Sequence, residues 1–418
     1  MEKVILENGL KLLYEKVPGD ITSFTIGFEA GANVEGKDEL GLAHVVEHMV
    51  FKGTNNRSEK EINDLCNEFF GFHNAMTNYP YVVYYGSCLK EDFKKAFDIY
   101  FDVVFNPAFK EEGFKEEISV ILEELKEWSD DINQHCEDML FYNSFKNRRI
   151  KELIIGREDS INSFELEDLK QFYNKYYTYE NCVISVVTSL SCEEVKNIIN
   201  NEINNRVKVN NEDKDSIGNV KNVLYENPRE GVFVEENKNI NGCKMQYIFP
   251  IHKLNPREVT ILQLFNEYFA SGTSSLLYDE IRTKRGLVYD IQGKVKSEKG
   301  IKLYSITLST SKENLELVKK IISEKIEFVK KAANSSEVFD QVFFAKHIKS
   351  QKIKRMLSVE KSIVLAMNLV VYEIMHGSGE LLVKEFDQLQ TCNYTPEAEM
   401  KKVIDKVFVG ESIGIITN

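Results

Sequence analysis

At 418 residues, with 43% hydrophobic and 28% charged residues, the chain has the balance of a folded globular protein and the length for two or three domains rather than one core. A net charge of −13 excludes a general attraction for nucleic acid or for an anionic membrane surface. The charge is uneven: residues 1–218 hold 24 Lys+Arg against 41 Asp+Glu, and residues 219–418 hold 29 against 25, which points to two domains with different electrostatic duties.

The N-terminus reads as alternating strand and lacks the uninterrupted apolar core of a secretory signal. In "LKLLYEKVPGDITSFTIGFEAG" two strand-like runs flank a turn at Pro18 and Gly19. "GLAHVVEHMVFKGT" follows as a helix, with Asp38 and Glu39 before it at the positive end of the dipole and Gly53 where it should stop. "FFGFHNAMTNYPYVVYY" returns to strand, "EDFKKAFDIYFDVVF" is an amphipathic helix, and "EEGFKEEISVILEELKEW" is another, with Phe114, Ile118, Ile121, Leu122 and Leu125 on one stripe. "NCVISVVTSL" is a late strand.

Residues 204–222, "NNRVKVNNEDKDSIGNVKN", are polar and poor in large apolar side chains, as a linker would be. Beyond them the order repeats. "VFVEENKNINGCKMQYIFPI" is strand, turn, strand; "EVTILQLFNEYFA" and "KENLELVKKIISEKIEFVKKAA" are helical; "ESIGIITN" is the closing strand. "IVLAMNLVVYEIM" is apolar, but Asn368, Glu373 and its short length make it a buried helix rather than a membrane span. The fold class expected is α+β: two similar domains, residues 1–205 and 223–418, joined by a linker at 206–222. Each would be a mostly antiparallel sheet with helices packed on one face. Seven cysteines without a CxxC pair, Cys392 among them, fit reduced thiols and a cytoplasmic chain.

The chemistry concentrates in the first helix. The chain has seven histidines, and His44 and His48 stand four apart, so one helical face presents both imidazoles to one point. Two imidazoles and a carboxylate are a standard set for a catalytic zinc that keeps one position open for water. Glu47, close to that face, is placed as the base beside the water. A chance pair of histidines on an ordinary helix is the plain alternative, and a third ligand is needed to displace it. On the later helix Glu117 and Glu124 lie seven apart and share a face, but spacing does not choose among Glu123, Glu124 and Glu127.

"HVVEHMVFKGT" followed at residues 116–124 by "EEISVILEE" resembles the pitrilysin (insulinase) family of inverted-motif zinc peptidases, most of all the smaller two-domain members similar to mitochondrial processing peptidase. The resemblance implies one Zn2+ per chain held by His44, His48 and Glu124, with Glu47 as general base and Glu117 as an accessory acid. Gly71, Asn74, Ala75 and Thr77 match the family's substrate-strand segment, which implies that Gly71, Phe72, His73, Asn74 and Ala75 receive a peptide by strand addition. Phe72 departs from the small residue frequent there, and His73, pointing away from its strand neighbours, is expected at the surface rather than on the metal. "YDEIRTKRGLVYDIQG" resembles the family's Arg and Tyr motif, implying that Arg282 holds substrate carbonyls and Tyr289 bonds near the scissile one. The family's four-domain chamber further implies a homodimer acting on unfolded peptides, with no nucleic-acid or membrane partner. Relatives that have lost the motif serve as inactive scaffolds or partner subunits, and that is the rival expectation.

Overall fold

The computed structural model describes residues 1–205, 224–238, 240–335, 338–389 and 396–418; the expected linker at 206–222 and Cys392 lie outside the described residues. Two compact units emerge. The first comprises Met1–Lys126, Leu153–Val223 and Met356–Val383, and the second Glu127–Glu152, Leu224–Arg355 and Lys384–Asn418.

In the first unit β1 (Glu2–Ile5), β2 (Lys11–Lys16), β3 (Ile21–Phe28), β4 (Phe72–Thr77), β5 (Val82–Leu89) and β6 (Cys182–Thr188) form one sheet in the order β1-β2-β6-β3-β5-β4. Every pairing is antiparallel except β2 with β6. α1 (Leu42–Val50), α2 (Glu59–Phe69), α3 (Phe93–Phe105) and α4 (Phe114–Asp130) share one apolar core with Phe24, Ile26, Tyr84 and Ile184 of the sheet. Phe24 is the centre of that core, meeting Phe93, Phe97 and Tyr100 edge to face at 5.5–5.9 Å. The next helix, α5 (Ile132–Ser144), falls in the second unit. α6 (Glu158–Ser163), α7 (Leu166–Tyr176) and α8 (Cys192–Asn205) then complete the layer on the first sheet.

The second unit holds β7 (Gly231–Glu236), β8 (Cys243–Pro250), α9 (Pro256–Phe269), a π-helical turn at Tyr278–Thr283, β9 (Val288–Glu298), β10 (Ile301–Thr310), α10 (Leu315–Ala332) and α11 (Gln341–Ser358). After α12 (Ser362–His376) and α13 (Leu381–Lys384), α14 (Pro396–Val407) and β11 (Ser412–Thr417) close it. Its sheet runs β7-β11-β8-β10-β9, with β7 and β11 parallel. With β1 set aside, this is the first sheet's order repeated strand for strand, so the repeat read from the sequence is a repeat of topology. The α+β class and the two sheets are as expected.

One feature exceeds the expected single helical face. α12, from the second half of the chain, lies on the opposite face of the first sheet, burying Leu369, Val370 and Ile374 against Leu13, Val83, Val183 and Val187. These sheet residues alternate with Leu12, Tyr14, Val82, Ile184 and Val186 of the other core, as side chains on two faces must. Covering on both faces explains why β6, "CVISVVT", is buried at every position. α5 makes the reciprocal move, seating Cys136 and Met139 on Ile416 in the second unit. Among the described residues, Cys66, Cys88, Cys136, Cys182, Cys192 and Cys243 are unpaired thiols, and no helix is long and apolar enough to cross a membrane.

Candidate metal centre

The centre is set by where α1 starts and which face it buries. The amides of Gly41 and Ala43 donate to the carboxylate of Glu35 at 3.2 and 2.9 Å, so the acid at the helix's positive end is Glu35 rather than Asp38 or Glu39. Glu39 instead accepts from the amide of Gly36 at 2.6 Å. Gly41 has φ of 96° and packs so closely on the backbone of Ile155 that a Cβ would lie 2.4 Å from its carbonyl oxygen; glycine is required there. With Ala43, Val45, Val46, Met49 and Val50 committed to the core, His44 and His48 are left on the face that meets α4.

α4 is held in register the same way. Phe114 and Ile121 are buried and Ile118, Leu122 and Leu125 pack against the same core, so Glu117 and Glu124 come round to α1. Nε2 of His44 lies 3.6 Å from one oxygen of Glu124, and Nε2 of His48 lies 3.5 Å from the other. The three donor atoms sit within 4.8 Å of one another. Ligands about 2.1 Å from a tetrahedral ion are about 3.4 Å apart, so this donor set has the right chemistry and spacing for zinc. Among the described residues no other three His, Cys, Asp or Glu side chains converge in this way.

Around the donors lies a second layer of bonds. Nδ1 of His48 is 2.8 Å from Glu117, so the neutral ring keeps its proton on that nitrogen and presents the lone pair of Nε2. The other oxygen of Glu117 takes the ammonium of Lys52 at 2.7 Å, and Lys52 also reaches Glu59 at 2.9 Å. Glu47 is buried, and the hydroxyl of Thr77 donates to its carboxylate.

Charge is unevenly distributed among these groups. Burial and the neighbouring His48 push the His44 imidazole down to about 4. Burial works against a charged His48 too, but hydrogen bonds to Glu117 and Glu124 outweigh it and raise the ring to about 9. Burial pushes Glu117 up, yet His48 and Lys52 hold it at about 2. The hydrogen bond to His48 likewise lowers Glu124. Glu47 goes the other way: burial raises it, with the Thr77 bond only partly offsetting.

The remaining sequence-selected residues are placed as follows. β4 is an edge strand, with β5 as its neighbour in the sheet. On it Phe72 is 49% exposed, His73 and Asn74 are exposed and Ala75 is half-buried. Just before the strand the amide of Gly71 bonds the carbonyl of Ser87 at 2.9 Å. Nδ1 of His73 pairs with the Tyr100 hydroxyl at 3.0 Å, and the ring stands outside the His44–His48–Glu124 group. Arg282 and Tyr289 belong to the second unit: Arg282 is exposed in the π-helical turn, its guanidinium 4.9 Å from the Tyr278 ring. Tyr289 is 74% exposed on the edge strand β9, not a core residue. Lys52 and Glu35 were not singled out by sequence, though Lys52 stands four residues after His48 and therefore on its face.

Residues 11–158 match the sequence model of the family described as insulinase (peptidase family M16), and residues 163–342 match the model described as the peptidase M16 inactive domain. An uncharacterized zinc protease of Rickettsia felis is 26% identical over 347 residues, covering 80% of this chain and 79% of that protein. The mitochondrial-processing peptidase subunit beta of Bos taurus is 30% identical over 193 residues, 46% of this chain and 39% of that one. A crystal structure of a protease from Helicobacter pylori has the same fold, with a TM-score of 0.85 at 19% identity over 100% of this chain and 99% of its own.

Proposed function

Because the chain belongs to the insulinase (M16) peptidase family, whose two domain models match it in succession, we propose that it is a zinc-dependent endopeptidase that hydrolyses unfolded peptides. In this reading His44, His48 and Glu124 hold one zinc per chain. Bound there, the ion supplies Lewis acidity and makes water a nucleophile near neutral pH. Glu47 takes a proton from the attacking water and delivers it to the leaving amine. Thr77 keeps the Glu47 carboxylate aimed while it does so.

The edge strand β4 offers backbone groups to an added peptide strand, with Gly71, Phe72, His73, Asn74 and Ala75 along the contact. Arg282 holds substrate carbonyls, and the hydroxyl of Tyr289 donates where negative charge grows on the scissile one. The exposure of both side chains, Arg282 in its turn and Tyr289 on an edge strand, supports this. The working form is a homodimer, and the unpaired thiols among the described residues support a cytoplasmic setting. The single observation that carries the reading is the spacing of the three donor atoms with a buried carboxylate, Glu47, one residue from a ligand.

Metal analysis of the purified chain beside turnover of a quenched-fluorescence peptide tests it. One zinc per chain and loss of turnover with a chelator are expected. Glu47→Gln should keep the zinc and lose turnover by about 10²–10⁴-fold. A second reading, an inactive scaffold or partner subunit, is favoured by the description of the second half's family model as an inactive domain. Zinc-loaded wild type that cleaves no peptide, with Glu47→Gln indistinguishable from it, would decide for that reading.

A further inference from the structure

The bonds around His48 continue one step beyond the pair formed with Glu117. Nδ1 of His48 meets one oxygen of Glu117 at 2.8 Å, and Nζ of Lys52 meets the other at 2.7 Å. The Glu117 side chain is 10% exposed, so this carboxylate has little water to fall back on, and its two oxygens are committed to two different cations or donors. Lys52 follows His48 by four residues, one turn on the same side of the chain, just past the end of α1 at Val50. Its ammonium also reaches Glu59, the first residue of α2, at 2.9 Å. Lys52 therefore stands where α1, α2 and α4 meet, with Glu117 between it and the imidazole.

We propose that Lys52 is a positioning residue for the metal centre, acting through Glu117 to hold His48 with Nε2 toward the ion. This rests on the metal-site reading above. The argument is one of compensation. Without the ammonium, one oxygen of a largely buried carboxylate is left unbonded, which favours turning Glu117 away from the ring. His48 would then lose the acceptor that fixes its tautomer and orientation, and a metal-ligating histidine without that outer bond binds more weakly. A tie that merely joins three helices would stabilise the fold without any of its effect passing through Glu117.

The test uses the full chain and zinc alone, with the dissociation constant read by competition against a chromophoric chelator. Lys52→Gln, and Lys52→Met as a second variant that keeps the apolar stem, should each weaken zinc by about 10-fold or more. Glu59→Gln, which removes the other partner of Lys52, should leave zinc affinity unchanged. In a Glu117→Gln background, Lys52→Gln should add almost nothing, because its route to His48 is already cut. Wild-type affinity in both Lys52 variants overturns the inference, and so does a full penalty that persists beside Glu117→Gln. His44→Ala separates the two levels of failure. If it abolishes zinc binding while Lys52→Gln does not alter it, only the role of Lys52 falls. If His44→Ala binds zinc like wild type, the centre itself is wrong and Lys52 falls with it.

Discussion

Thr77 is the residue on which the orientation of the proposed base depends. Its hydroxyl donates to a Glu47 carboxylate that is 9% exposed, and it sits at the end of β4, so the edge strand and the base are tied by one hydrogen bond. Thr77→Val keeps the shape and removes the donor. Turnover should fall about 10-fold, the kinetic equivalent of one hydrogen bond to a charged group, while zinc content stays at the wild-type value. A variant that loses zinc as well would place Thr77 in the fold rather than in the chemistry. Tyr289 offers the complementary case in the other unit. Tyr289→Phe should lower kcat by about 10²-fold if its hydroxyl meets developing charge, with zinc binding intact; unchanged kcat in a steady-state assay would remove that role.

At the scale of elements, α9 and α11 hold the positions in the second unit that α1 and α4 hold in the first, following β8 and β10 as the others follow β3 and β5. On α11 the seven-residue spacing recurs, with the acid and the basic groups exchanged between the two helices. Glu267 is the acid on α9, and His347 and Lys354 stand seven apart on α11. Glu267 is 2.6 Å from the ammonium of Lys354 and 3.4 Å from His347, with Ser350 donating to it as well. Here two helices are pinned by an ion pair where the first unit gathers His44, His48 and Glu124. Burial pushes the Glu267 carboxyl up, but bonds from His347, Lys354 and Ser350 outweigh it and hold it at about 2 against an ordinary 4.5. The depressed value means the stabilisation is present above pH 4.5 and lost as pH falls through about 2. Glu267→Gln should therefore cost about 1–3 kcal/mol at pH 7, and the gap from wild type should close on acidification, as urea melts at several pH values would show. α12 depends on a different feature, the absence of a side chain at Gly27. A Cβ there would meet Val370 at 2.4 Å and Val83 at 3.1 Å. Gly27→Ala should destabilise the chain by about 1–3 kcal/mol in the same melts and leave zinc affinity alone.

For the whole molecule, the repeat and the exchange of one helix in each direction explain why the chain folds from halves that are not closed in sequence. α5 and α12 each bury their apolar residues in the unit built mainly by the other half, so neither half carries every helix that covers its own sheet. The proposed homodimer adds a prediction at this scale: light scattering on purified chain should give about twice 48.3 kDa at assay concentrations. A monomer mass with full peptidase activity would end the requirement for a partner copy.

The sequence by itself determined the α+β class, the repeat, and the pairing of His44 with His48, because helical and strand periods are local and four residues make one turn. Spacing left Glu123, Glu124 and Glu127 open as the third donor, and only the family pattern pointed to Glu124. Only the tertiary structure decided that Glu35 rather than Asp38 or Glu39 meets the first turn of α1, that Lys52 meets Glu117, and that Thr77 meets Glu47. The unit in which α5 and α12 are buried was decided there as well. These are contacts between segments whose own sequence says that they bury a face or carry a charge, but not against what. An apolar stripe fixes which side of a helix turns inward; which sheet it meets depends on the path of the rest of the chain.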